Sequence, residues 1–157
     1  MGKRGLTPVD ALLVASVVLF MASLVMPALQ MRYARYPGQT EPYQYAMWGW
    51  QVLIMGWAGI LDRTFAWFAN PIWVLALLLI RLKPIAGLLL AAGGLFLACS
   101  SLFVTSIWNE PNRETVEGLG IGGYVWVGSF VVAIVAAAIA MRRRVSADRS
   151  MLKADAP

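Results

Sequence analysis

The sequence predicts an all-α membrane protein: a bundle of four transmembrane helices with a short interfacial or re-entrant helix before the second span. Three observations predict it. Of the 157 residues, 60% are hydrophobic and only 13% charged, which is too apolar for a domain with a solvated, charged surface. Several apolar runs approach or exceed the roughly 20 residues a helix needs to cross a roughly 30 Å hydrocarbon layer. Polar, turn-rich segments separate these runs, and Lys and Arg gather at their ends, where positive charge sets topology.

The first helix starts near Thr7, which can serve as N-cap with Pro8 at the first helical position and Asp10 completing a capping box. It is apolar through Met26, and Pro27 bends or ends it, giving a span over about residues 8–28. The Lys3-Arg4 flank is similar to that of a signal peptide, but Asp10 and the absence of a clear small-x-small cleavage site favour a retained anchor. Residues 30–44 form a polar loop broken by Pro37-Gly38 and Pro42. Residues 47–61 are apolar, yet at about 1.5 Å per residue they reach only about 22 Å as a helix. They are expected to lie on the outer face or dip into it. There Trp50, Leu53, Ile54, Trp57, Ile60 and Leu61 follow helical spacing, and Gly49, Gly56 and Gly59 permit close backbone approach.

The second span covers about residues 64–82 and the third 85–107, joined so tightly by Arg81-Leu82-Lys83 that they form an antiparallel hairpin. After a glycine-rich polar loop, 108–123, the last span runs over 124–141 and stops at Arg142-Arg143-Arg144. Residues 1–142 thus make a single transmembrane domain, and 143–157 a short, mobile cytoplasmic tail.

With both termini cytoplasmic, Lys3, Arg4, Arg81, Lys83, Arg142, Arg143, Arg144, Arg149 and Lys153 lie inside, nine of the thirteen basic residues. Arg32, Arg35, Arg63 and Arg113 remain outside, as the positive-inside rule favours. An inverted five-span arrangement satisfies the charge rule as well but exports Lys3-Arg4. Four spans also place Tyr33, Tyr36, Tyr43, Tyr45, Trp48, Trp50, Trp108, Tyr124 and Trp126 together near the outer interface, where amphipathic rings prefer to sit.

The chain has no histidine and one cysteine, Cys99, in an apolar stretch. Histidine-ligated metals, bis-histidine haem, iron–sulfur clusters, Ser-His or Cys-His nucleophiles and internal disulfides therefore lack their residues. No catalytic set, metal site or cofactor is expected. The net charge of +5 flanks apolar spans, so it points to headgroups and not to nucleic acid.

The candidate binding residues are Trp57, Asp62, Arg63, Trp67 and Asn70. Asp62-Arg63 reads either as an interfacial seam, with Asp62 capping the next helix and Arg63 snorkelling to headgroups, or as a buried working pair. Asn70-Pro71 lies inside the second span, as a packed kink or as a hinge or ligand contact. Glu110, Glu114 and Glu117 could bind a cation or a basic peptide, though acids in a loop commonly only solubilise it. Small residues at four-residue spacing (Gly87/Ala91, Gly94/Ala98, Ser129/Ala133/Ala137, Ala136/Ala140) allow helices to pack closely, within one bundle or against a partner.

The pattern Gly49-Trp50-Gln51, Gly56-Trp57, Gly59, Phe65-Ala66-Trp67, Ala69-Asn70-Pro71, with Gly123, Tyr124 and Trp126 later, resembles a group of small bacterial inner-membrane proteins of unassigned activity. The resemblance is best over residues 51–82 and implies a bacterial, four-span protein; it supplies no functional residue. The expected function is non-enzymatic: binding another membrane protein, as an accessory subunit or an immunity-type protein, or self-association within the lipid bilayer. The alternative is a binding or carrier protein for a small amphipathic ligand, lipid or ion.

Overall fold

Helix α1 (Pro8–Leu24) opens on the expected cap: the Asp10 N–H donates to Thr7 Oγ1 at 3.2 Å, the Thr7 N–H to the Asp10 carboxylate at 3.3 Å, and Pro8 takes the first turn. The computed structural model describes residues 5–32, 43–107 and 114–154. Over these the chain is predominantly helical, with two segments long and apolar enough to cross a membrane, Pro84–Phe103 and Ile121–Ala147. α1 ends at Leu24, short of the expected residue 28, because Met26 precedes a proline and is disfavoured in the helical region.

An all-α chain was expected; a small antiparallel sheet corrects this. After α1 comes β1 (Pro27–Arg32), then β2 (Gln44–Trp48), and late in the chain β3 (Ser106–Ile107) and β4 (Glu114–Leu119), in the order β2-β1-β4-β3. Both segments read as loops, 30–44 and 108–123, thus contribute strand residues. β1 pairs with β2 through Arg32 opposite Gln44 and with β4 through Arg32 opposite Thr115, with a register shift between Gln30 and Met31. Met31 is fully buried.

The sheet is a continuation of the helices. α1 runs into β1 after two residues, and β4 leads through Gly120 into α5 (Ile121–Ala154). α1 packs on α5 just as β1 pairs with β4. The Gly120 N–H donates to the Ala28 carbonyl at 2.9 Å, and a Cβ at Gly120 would stand 2.3 Å from the Pro27 carbonyl oxygen, so only glycine fits this corner.

Residues 47–61, read as one short helix, divide. Trp48 closes β2; α2 (Gly49–Met55) follows, then a 3₁₀ turn over Gly56–Asp62 ending at Arg63 in the left-handed conformation, φ 59°. A second 3₁₀ turn, Ala66–Phe68, leads into α3 (Ala69–Leu82). Pro71 therefore sits in the first turn of α3 and makes no mid-span kink, a correction to the expected position deep in a helix starting near residue 64. α4 (Pro84–Ser100) follows the Lys83 link, as the hairpin expectation had it. It stops well before residue 107: the Ser100 and Ser101 hydroxyls donate to the Leu97 and Ala98 carbonyls, the last turn tightens to 3₁₀ over Ser101–Phe103, and Val104 is extended. At the other end of the chain, the tail expected to be mobile is helical as far as Ala154.

The core lies where α1, α3, α4 and α5 meet. Phe20 stacks on Trp73 with ring centroids 4.4 Å apart, and Phe130 meets Trp73 at 6.5 Å. Gly87, Ala91, Gly94 and Ala98 are the buried face of α4 after Pro84. Ala133, Ala136 and Ala137 of α5 are likewise fully buried, so the small-residue stripes close the helices within the chain. At the end opposite the sheet, Arg81 pairs with Asp10 at 2.7 Å and Arg144 donates to the Leu82 carbonyl at 2.8 Å, gathering basic side chains there.

Candidate binding site beneath the sheet

Where the sheet meets the helices, the glycines of the opening motif determine how closely α2 can dock. The Gly49 N–H donates to the Met26 carbonyl at 2.9 Å, and a Cβ there would lie 2.2 Å from the Ser23 carbonyl oxygen. Gly56 lies against the Trp67 ring, where a Cβ would stand 2.7 Å from Cδ1. The Trp67 indole N–H donates to the Leu53 carbonyl at 2.7 Å and so ties the second 3₁₀ turn to α2. The Thr64 hydroxyl donates to the Gly59 carbonyl at 2.9 Å and closes the turn at Arg63.

Between these contacts, where α2 and its 3₁₀ extension meet the sheet and the helix ends, lies a partly open cavity of about 180 Å³. Its walls come from the end of α1 (Phe20, Leu24), the sheet (Leu29, Leu119), α2 (Val52, Leu53), the start of α3 (Asn70) and the start of α5 (Trp126). The surface is mostly apolar. At its base the Trp126 indole N–H donates to Asn70 Oδ1 at 2.9 Å, and Trp126 meets Phe130 edge to face at 5.5 Å.

Of the five candidate residues, the structure brings Trp67 and Asn70 to this cavity. Trp57 is 59% exposed, on the outer side of the 3₁₀ turn, and Arg63 is exposed at the turn. The backbone of Asp62 ends that turn; its side chain lies outside the described residues. Of the acidic set, Glu117 forms an ion pair with Arg32 and accepts from Gln44 Nε2 at 3.3 Å; Glu110 and Arg113 lie outside the described residues, as does the side chain of Glu114. No cluster of three metal-ligating side chains occurs among the described residues.

Sequence reading placed Trp126 in an interfacial aromatic belt and in the resemblance pattern but at no site, and assigned no role to Thr64, Ser23 or Ser101; all four line the cavity. Asn70 and Trp126 stand 56 residues apart, so no local pattern announces their hydrogen bond. A polar residue in an apolar run was the available signal, since it must find a partner. No known family model matches the chain, and comparison with curated proteins and with solved structures returns no significant match.

Proposed function

We propose that the chain is a four-span protein of the bacterial inner membrane, with both termini cytoplasmic, that acts by binding another membrane component and not by catalysis. Support for the membrane placement comes from the outward faces of the helices. Val18 and Met21 on α1, Leu78 on α3, Leu89 and Phe96 on α4 and Val131 on α5 are all exposed and apolar. Helices apolar on every side suit lipid, not water. α1, with 17 residues, reaches about 26 Å, within the few ångströms that a bilayer accommodates by thinning. The basic end then faces the cytoplasm and the sheet faces outward.

The observation that carries the binding reading is a ridge of exposed side chains on the sheet side: Trp48, Trp50, Ile54, Trp57, Leu61 and Phe65. Tryptophan is enriched among interface anchors, and exposed apolar side chains gathered together mark interaction surfaces. The partner is another membrane protein, as for an accessory subunit or an immunity-type protein. A photo-crosslinking residue at Ile54, irradiated in native membranes, is expected to yield a discrete protein adduct that the same residue at Leu78 does not. If Ile54 and Leu78 both give lipid adducts alone, the ridge is bilayer-facing surface and the reading falls. The cavity favours a second reading, a binding protein for a small amphipathic ligand.

A further inference from the structure

The cavity beneath the sheet has six lining side chains with nitrogen or oxygen: Ser23, Thr64, Trp67, Asn70, Ser101 and Trp126. Nearly all their donors are engaged inside the fold. The hydroxyls of Ser23, Thr64 and Ser101 donate to the carbonyls of Phe20, Gly59 and Ala98 at 2.6, 2.9 and 2.6 Å. Both indole N–H groups are taken, Trp67 by Leu53 and Trp126 by Asn70 Oδ1. An indole N–H can only donate, so this last bond settles the orientation of the Asn70 amide: its oxygen faces Trp126 and its NH₂ faces away. No acceptor meets that NH₂ among the described residues, and none of the buried side-chain nitrogens or oxygens lacks a partner, so Asn70 Nδ2 borders accessible space. No charged side chain is among the described lining residues.

We infer that the cavity binds the neutral carbonyl-bearing head of a membrane lipid. The ligand's carbonyl oxygen accepts from Asn70 Nδ2, and its apolar atoms rest against Leu24, Val52, Leu53 and Leu119. A charged head is disfavoured, because the walls offer it no counter-charge. Size agrees as well: an apolar cavity of roughly 150 Å³ accepts benzene, and this one, at about 180 Å³, has room for one ring or a short chain while the remaining tail stays outside. The inference rests on the membrane placement proposed above but not on a protein partner. Two sources supply such a carbonyl, a quinone ring and a glycerolipid ester.

Native mass spectrometry of the full chain released from detergent micelles distinguishes them with three probes: a benzoquinone bearing one isoprene unit, glycerol mono-octanoate, and the octyl glycerol ether that lacks the carbonyl. At least one carbonyl probe is expected to bind one-to-one, with the ether weaker by about fivefold or more, the worth of one hydrogen bond. Preference between quinone and ester names the source. The paired change Asn70→Leu with Trp126→Phe, which leaves no orphan donor, is expected to abolish the preference for carbonyl over ether. Ala66→Phe, or Val52→Phe if the first does not fold, removes space but no polar group and is expected to abolish binding of every probe at unchanged Tm. The inference is overturned if no probe binds the wild type, if ether and carbonyl probes bind it equally, or if a folded cavity-filling variant binds as the wild type does. Extraction of the chain from membranes by alkaline carbonate would overturn the four-span placement separately, whatever the probes show.

Discussion

Ser16 is a small polar side chain at the centre of the helices, fully buried, and it links three of them. Its hydroxyl donates to the Ser129 carbonyl at 2.7 Å and accepts the Trp73 indole N–H at 3.1 Å, joining α1, α3 and α5. Ser16→Ala leaves the indole donor without an acceptor and is expected to cost about 1–2 kcal/mol. Adding Trp73→Phe removes the orphan donor, so thermal melts of the two single variants and the double variant are expected to show non-additive losses. Additive losses would mean that the hydrogen bond contributes nothing. Arg63 makes the opposite case. It is the non-glycine residue with positive φ among the described residues, and Arg63→Gly is expected to leave the melting temperature unchanged or raise it, relieving about 1 kcal/mol of backbone strain. A marked loss on melting would show that the guanidinium has a structural partner. The Thr7–Asp10 cap was legible in the sequence because its residues are neighbours. The bonds of Ser16 were not, because they cross 57 and 113 residues.

Among the elements, α2 and the sheet depart furthest from sequence expectation. Four strands of two to six residues carry too few alternations for a period-two signal to stand out against apolar neighbours. β1 and β4 pair at the end to which α1 and α5, lying side by side, lead them. The Arg32–Glu117 ion pair across this sheet is partly exposed, so Arg32→Ala is expected to cost less than about 1 kcal/mol, and less still at high salt. Gly49→Ala is expected to cost more, about 1–3 kcal/mol, since its Cβ meets the backbone of α1 at Ser23. Hydrogen exchange is the discriminating measurement: α2 and its 3₁₀ extension should lose protection in Gly49→Ala while α4 and α5 keep theirs. Uniform loss across all helices would show that α2 is not a separable element.

At the scale of the whole molecule, the four-span proposal makes a sidedness prediction. In a Cys99→Ser background, single cysteines at Tyr43 and Thr115 are expected to react with a membrane-impermeant maleimide in intact spheroplasts. One at Ser146 is expected to react only after permeabilisation. Labelling of Ser146 from outside would invert the protein, and labelling of Thr115 and Ser146 from the same side would remove the last crossing.

Local chemistry determined much by itself. The cap at Thr7, the hairpin at Lys83, the packing glycines and the apolar composition are all properties of neighbouring residues, and each could be read directly from their order. Asn70 could be singled out too, as a polar residue in an apolar run. What it touches could not. The sheet, the cavity, and the pairing of Asn70 with Trp126 arise where segments far apart in the chain meet. That meeting is decided by which helix faces pack together, and it sets the orientation of the Asn70 amide.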